Sequence, residues 1–223
     1  MTGLAAVRER LDGAPVRIQH VQIRQLSIAD AYEVTPVVHT DARGTFFEWY
    51  RFDDLERVVG HALDLRQANT SVSRRGVVRG IHFADIPRGQ AKYIAVPRGS
   101  VLDFVVDIRV GSATYGQWDS AVLDDVDHRA LYLSEGLGHL FVALEENTTV
   151  SYLVSDVYNP AAEHGLNPFD PELALEFPGD LGDLVVSAKD RDAPTLAQLR
   201  AVGALPTIEA ARSYYASLAG EVL

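Results

Sequence analysis

From residue 21 onward, short apolar runs and polar turn clusters follow one another at intervals of roughly ten residues. VQIRQL at 21–26 alternates apolar and polar positions with period two, the pattern of a half-buried strand. Comparable runs predict strands over 31–39, 64–73, 77–83, 93–96, 100–109, 118–123, 130–133, 139–143 and 148–155, although Pro36 weakens the first of these. The turn signals between them read DARG, PRGS, GSATYG, DDVD, SEGLG and EEN. DDLERVVG at 53–60 has an acidic start and a glycine stop, which predicts a short helix. After Tyr158 the pattern changes to NPAAEHGLNPFDPELALEFPGD, a Pro-, Asp- and Gly-rich loop expected to wrap a sheet, and helical spacing returns at 195–202 and 208–218. LAAVRERL near the start is readable as a short helix or as a tail. Many short strands with regular turns indicate an all-β sandwich or barrel with short C-terminal helices. The expected organisation is an extension over residues 1–20 and one domain over 21–223.

The stretch GVVRGIHFADIPRGQAK, residues 76–92, breaks this pattern most. Its two apolar arms flank an Ile-Pro-Arg-Gly turn, so it reads as a hairpin with a long loop. Arg79 and His82 interrupt the first arm and Lys92 opens the second. Two cations and a titratable imidazole suit an anionic substrate that must lose a proton. Strict alternation places Arg79 and His82 on opposite faces. For both to reach one site the strand must bulge, and Gly80 is the residue that allows it.

Composition narrows the classes. The 223 residues suffice for a full core, and the lack of cysteine excludes disulfides, thiolate metal sites and cysteine nucleophiles. It also favours an intracellular, cytoplasmic protein. The formal net charge of −11 argues against nucleic acid as a partner, and no apolar run approaches a membrane span.

VVRGIHF, QAKYIAVPRGSVLDFVVDIRVGSATYGQWDS, LYLSEGLGHLFVAL, SYLVSDVYNPAAEHG and SAKDRDAP stand in one order over most of the chain. Together they resemble the dTDP-4-dehydrorhamnose 3,5-epimerase family of cupin-fold sugar epimerases, from about residue 26 to about residue 205. The resemblance implies a cupin jelly roll (double-stranded β-helix), a homodimer, no metal or other cofactor, and a dTDP-4-keto-6-deoxyhexose as substrate. The residues agree on the metal: the strand offers His82 alone, followed by Phe83 and Ala84, where a metal site needs about three convergent ligands.

A sugar ketone at C4 has weakly acidic hydrogens at C3 and C5. Their exchange needs a base near neutral pKa, a cation or donor at the ketone oxygen, and an acid on the opposite ring face. The resemblance implies His82 as base, Asp190 as the carboxylate that orients it (Asp192 if the loop register differs) and Tyr152 as acid (Tyr158 as the fallback). Lys92 suits the enolate oxygen. Arg79, His139, Tyr158, Glu163 and Lys189 match substrate or ligand contacts of the family, as do Gln67 and Asn69 in RQANTS and Arg43 and Glu48 in DARGTFFEW, and Phe46 or Phe47 is placed to stack on thymine. Some of the family's nucleotide contacts come from the neighbouring subunit. The GLGHL stretch around His139 departs from the family pattern at residues 137 to 140, with the glycine and leucine around His139 expected to alter the pocket's shape. His20, His39, His61, His128 and His164 have no motif around them and read as surface or structural.

The expected activity is inversion of C3 and C5 of dTDP-4-keto-6-deoxy-D-glucose, giving dTDP-4-keto-L-rhamnose. The alternatives are a 3- or 5-monoepimerase of another deoxysugar pathway, a noncatalytic cupin that binds nucleotide sugars, and a metal-dependent cupin enzyme.

Overall fold

The computed structural model describes Val16–Arg17 and residues 21–220. The predicted helix at LAAVRERL and His20 lie outside the described residues. Of the expected extension, Val16–Arg17 is described: it forms strand β1, antiparallel to β2 (Val21–Gln25).

Two antiparallel sheets form a jelly roll. The larger runs β1, β2, β3 (Ala31–Pro36), β11 (Ala130–Leu133), β8 (Lys92–Arg98), β13 (Thr148–Val154), β6 (Gln67–Ser73). The smaller runs β10 (Trp118–Asp124), β9 (Ser100–Val106), β12 (Gly138–Ala143), β7 (Val77–Ala84), β14 (Glu163–Gly165), with β15 (Val185–Val186) added parallel to β7. A separate hairpin joins β4 (His39–Asp41) to β5 (Gly44–Phe46). The helices are α1 (Phe52–Val59), α2 (Ala188–Arg191), α3 (Leu196–Ala201) and α4 (Ile208–Ala219).

Period-two alternation sorts the core. On β9, Val101 and Val105 face between the sheets, where they meet Ile94 and Val96 of β8, Leu131 and Phe141. Leu102, Phe104 and Val106 face outward and are covered by Leu166, Leu173 and Leu181 of the Pro-rich segment and by Leu196 and Leu199 of α3. That segment therefore wraps the smaller sheet, as its composition predicted. Tyr93, Ala95 and Tyr132 face out of the larger sheet onto Leu55 of α1 and Leu63. α1 ends at Gly60, whose φ of 91° is the left-handed conformation a glycine stop provides.

Three expectations need correction. β7 and β8 are not a hairpin: β7 pairs with β12 and β14, β8 with β11 and β13, in different sheets. A turn signal marks where the chain reverses but not its partners. Both arms are buried strands flanked by other strands on both sides, in different sheets, so the connection crosses the sandwich. The strand predicted over 31–39 stops at Pro36, and His39 belongs to the separate β4–β5 hairpin. The wrapping segment, expected to be loop throughout, carries a strand of its own, β14.

Candidate active site

A cavity of about 680 Å³ opens where the interior core of the sandwich ends. Its walls are the inner faces of β6, β7, β8, β12 and β13, closed on one side by β14, β15 and α2.

β7 carries the predicted bulge. Arg79 pairs with Phe141, Gly80 with Leu140 and His82 with His139, so Ile81 is the unmatched residue. Val78, Ile81 and Phe83 pack on the outer core. The extra residue resets the alternation, and Arg79 and His82 both line the cavity. Gly80 is required here: its φ is 117°, and a Cβ would lie 2.4 Å from the carbonyl oxygen of His139.

His82 Nε2 lies 2.7 Å from Asp190 Oδ1. The carboxylate acceptor places the proton on Nε2 and leaves Nδ1 as the basic nitrogen. Asp190 comes from α2, which β15 aims at the site by pairing with β7 at Val77 and Val78. Ser187 caps this short helix by accepting the Asp190 backbone N–H at 3.0 Å. Burial pushes the Asp190 carboxyl up, but the His82 hydrogen bond and charge, with help from Ser187 and the Gly80 backbone, hold it below its ordinary value. The rival Asp192 is the exposed C-cap of the same helix.

A second pair stands beside the first. His139 Nε2 lies 2.9 Å from both oxygens of Asp103, which is fully buried on β9. Burial pushes the Asp103 carboxyl up despite the opposing pull of His139. Asp103 was missed by sequence reasoning. The signal was a carboxylate in the middle of VLDFVV, a run with no solvent face.

Lys92, 8% exposed, donates from Nζ to Gln90 Oε1 at 2.5 Å. Burial pulls its ammonium down to about 8, against the raising effect of Glu163 and Glu135. Tyr152 is partly buried on β13, level with Asn69 of β6. Burial and then Glu163 push its phenol up, with Arg79 opposing, so it is protonated at neutral pH. Gln67, Asn69, Arg79, His139, Tyr158, Glu163 and Lys189 also line the cavity. Tyr158 is exposed at the rim, its backbone N–H on Gln67 Oε1 at 2.9 Å. Lys92 and Lys189, the chain's two lysines, both belong to this cavity. Gln90, also missed, contacts Lys92 and Glu163 together.

Within one chain the structure does not bring Arg43 or Glu48 to this cavity. Arg43 sits on the exposed β4–β5 hairpin, ion-paired to Asp41 at 2.6 Å, and Glu48 pairs with Arg51 at 3.2 Å. Both lie in a segment outside the two main sheets, so no sheet register carries them inward. Phe46, on the same hairpin, is 68% exposed, and Phe47 stacks on His128 with ring centroids 4.1 Å apart. Leu137 and Leu140, in the stretch expected to alter the pocket, point instead into the two cores. Of the other histidines, His61 is buried and His164 pairs with Asp85 at 2.8 Å. Among the described residues, no group of three or more His, Cys, Asp or Glu converges as a metal site, and no helix is long and apolar enough to cross a membrane.

The arrangement offers an imidazole with a carboxylate behind it, a protonated phenol, a buried ammonium and several polar groups around one concave space. That set suits proton exchange next to a carbonyl on a large polar ligand. A model of the dTDP-4-dehydrorhamnose 3,5-epimerase family matches residues 25–198, which include every cavity residue named above. A dTDP-4-dehydrorhamnose 3,5-epimerase of Mycolicibacterium smegmatis is 53% identical over 184 residues, 82% of this chain and 90% of its own length. A dTDP-4-dehydrorhamnose 3-epimerase of Streptomyces niveus is 52% identical over 187 residues, 84% of this chain and 89% of its own. Among solved structures, the rmlC epimerase of Mycobacterium tuberculosis superposes with a TM-score of 0.86 at 47% identity, covering 88% of this chain and 98% of that one. Fold, cavity and these matches lead to one assignment: the chain belongs to the dTDP-4-dehydrorhamnose 3,5-epimerase family.

Proposed function

We propose that the chain inverts C3 and C5 of dTDP-4-keto-6-deoxy-D-glucose to give dTDP-4-keto-L-rhamnose by proton abstraction and return. The observation that carries this reading is the gathering of His82–Asp190, Tyr152 and Lys92 around one cavity. His82 removes the proton next to the ketone, and its positive charge is met by Asp190. The electron pair moves from the C–H bond onto the C4 oxygen, where the Lys92 ammonium stabilises the enolate. Tyr152 delivers a proton to the carbon from the other face of the ring. Its phenolate is then reprotonated as His82 gives up its own proton.

Arg79, with Lys189, supplies positive charge for the diphosphate, since a guanidinium binds phosphate oxygens in pairs. Gln67, Asn69, His139, Tyr158 and Glu163 fill the remaining ligand contacts. Arg43 and Glu48 face away from their own chain's cavity, which supports a homodimer in which the hairpin region completes the neighbour's nucleotide site.

The 52% identity to a 3-epimerase supports a second reading, inversion at C3 alone. Incubation of the protein with dTDP-4-keto-6-deoxy-D-glucose in D2O, read by mass spectrometry and proton NMR, decides between them. Deuterium at C3 and C5 with the L-configured product is expected. Deuterium and inversion at C3 alone select the second reading, and no incorporation at all overturns both.

A further inference from the structure

Gln90 hydrogen-bonds both the cavity's buried cation, Lys92, and one of its carboxylates, Glu163. Its Oε1 accepts from Lys92 Nζ at 2.5 Å, while its Nε2 donates to the Asp156 carbonyl oxygen at 3.2 Å and to Glu163 Oε1 at 3.4 Å. Chemistry fixes this orientation of the amide. Turned over, it would set an N–H against an ammonium and an oxygen against two acceptors. The backbone holds Gln90 there through the turn before β8. Gly89 donates to the Asp85 carbonyl at 2.7 Å with φ of 76°, and a Cβ on it would lie 2.5 Å from that of Glu135.

We propose that Gln90 is a positioning residue that anchors the Lys92 ammonium through a neutral acceptor, so that no carboxylate is hydrogen-bonded to it and its charge is directed at an oxyanion in the cavity. An ammonium has three N–H donors. Gln90 takes one, and the other two meet no protein acceptor among the described residues. Had the same position held a carboxylate, the pair would be nearly neutral and its field at a developing enolate much weaker. The amide instead keeps Glu163 one residue away from Lys92. The cost is an ammonium buried without a hydrogen-bonded carboxylate, and burial pulls it down to about 8. Other charged or titratable groups bearing on Lys92 are Glu135 from the turn between β11 and β12, Tyr152 on β13, and His82, Arg79 and His139 across the cavity. None of them interposes a neutral acceptor.

The role in stabilising an enolate rests on the epimerase reading; the anchoring of Lys92 does not, and the test separates them. With only two lysines in the chain, protein labelled with 13C at lysine Cε gives two signals, and Lys92 is titrated directly. Gln90→Met keeps the size and removes the acceptor, so the Lys92 midpoint falls by about one pH unit; Gln90→Glu adds an anion, so it rises by about as much. In parallel, kcat for epimerisation drops roughly tenfold or more in both variants while KM changes less than about threefold. A merely structural glutamine would lower thermal stability in both without moving the midpoint in opposite directions. Midpoints within about 0.2 of wild type in both folded variants overturn the proposal. Shifted midpoints in the variants, together with no substrate deuterium exchange by the wild-type protein, would leave the anchoring intact and overturn the epimerase reading and the enolate role together.

Discussion

His82 and His139 face each other across the β7–β12 register, and each sets Nε2 against an aspartate. Their surroundings diverge from there. The His82 side chain is 39% exposed and that of His139 9%. Asp190 is delivered by a four-residue helix outside the sandwich, 108 residues along the chain from His82, and its carboxyl is held below the ordinary range. Asp103 is delivered by an interior strand and its carboxyl is pushed up by burial. A hydrogen-bonded carboxylate is therefore not what distinguishes a base from an anchor. Access to a ligand does, together with a carboxylate able to stay anionic as the imidazole gains charge. By that measure the geometry is consistent with the proposed role of His82 as the proton acceptor and suits His139 to present a fixed donor or acceptor.

The sharpest break of this comparison is His82→Ala. Deuterium exchange into the sugar is expected to fall about 10³-fold or more, the scale of a general base, while dTDP affinity measured by calorimetry stays within about twofold because the imidazole adds little to nucleotide binding. Exchange above about a tenth of the wild-type rate would move the base role to another group, His139 first. A smaller loss is expected from Asp190→Asn. The shape is kept and an amide oxygen still accepts from Nε2, but the charge that balances an imidazolium is gone. The expectation is a fall in kcat of about 10²-fold with KM little changed. Equal losses in kcat and in thermal stability would mean that Asp190 mainly holds α2 in place.

Much of this was legible in the sequence where the signal is local. Period-two alternation located β2, β11 and β13 to within a residue or two, and the end of α1 followed from Gly60. The need for a bulge at Gly80 followed from two functional side chains at incompatible parity, and the Arg79–Phe141 and His82–His139 pairing shows it. Pairing between distant strands was not legible. The 76–92 stretch looked like a hairpin because turn chemistry is local, whereas the choice of sheet depends on which partners bury each arm. Asp103 was missed for a related reason: it functions through His139, 36 residues away, and nothing in its own flanking residues announces that neighbour. Gln90 stands two residues from Lys92, but a polar residue beside a turn is ordinary and its contact with Glu163 is 73 residues distant. The resemblance to a family brought in Arg43 and Glu48, which one chain alone does not bring to the cavity.

The finest test of the comparison is Asp103→Asn. Both oxygens of Asp103 share a single donor, His139 Nε2, at 2.9 Å. An asparagine can present only one oxygen to that donor, so its amide N–H₂ is left without an acceptor in a site with no water-exposed surface. The lost charge-assisted bond and the unpaired donor each cost stability, while removal of a buried negative charge returns part of it. The expected net loss is about 1–2 kcal/mol in urea unfolding. Because His139 is not asked to carry the proton, exchange should slow by only about tenfold, less than in Asp190→Asn, with most of the change in KM as the imidazole loses its fixed orientation against the sugar. If Asp103→Asn instead abolishes exchange as completely as Asp190→Asn while the protein stays folded, the two pairs are equivalent in chemistry. His139 would then be a second base, and with two bases on adjacent strands, inversion at two carbons would no longer require the sugar to present both to His82.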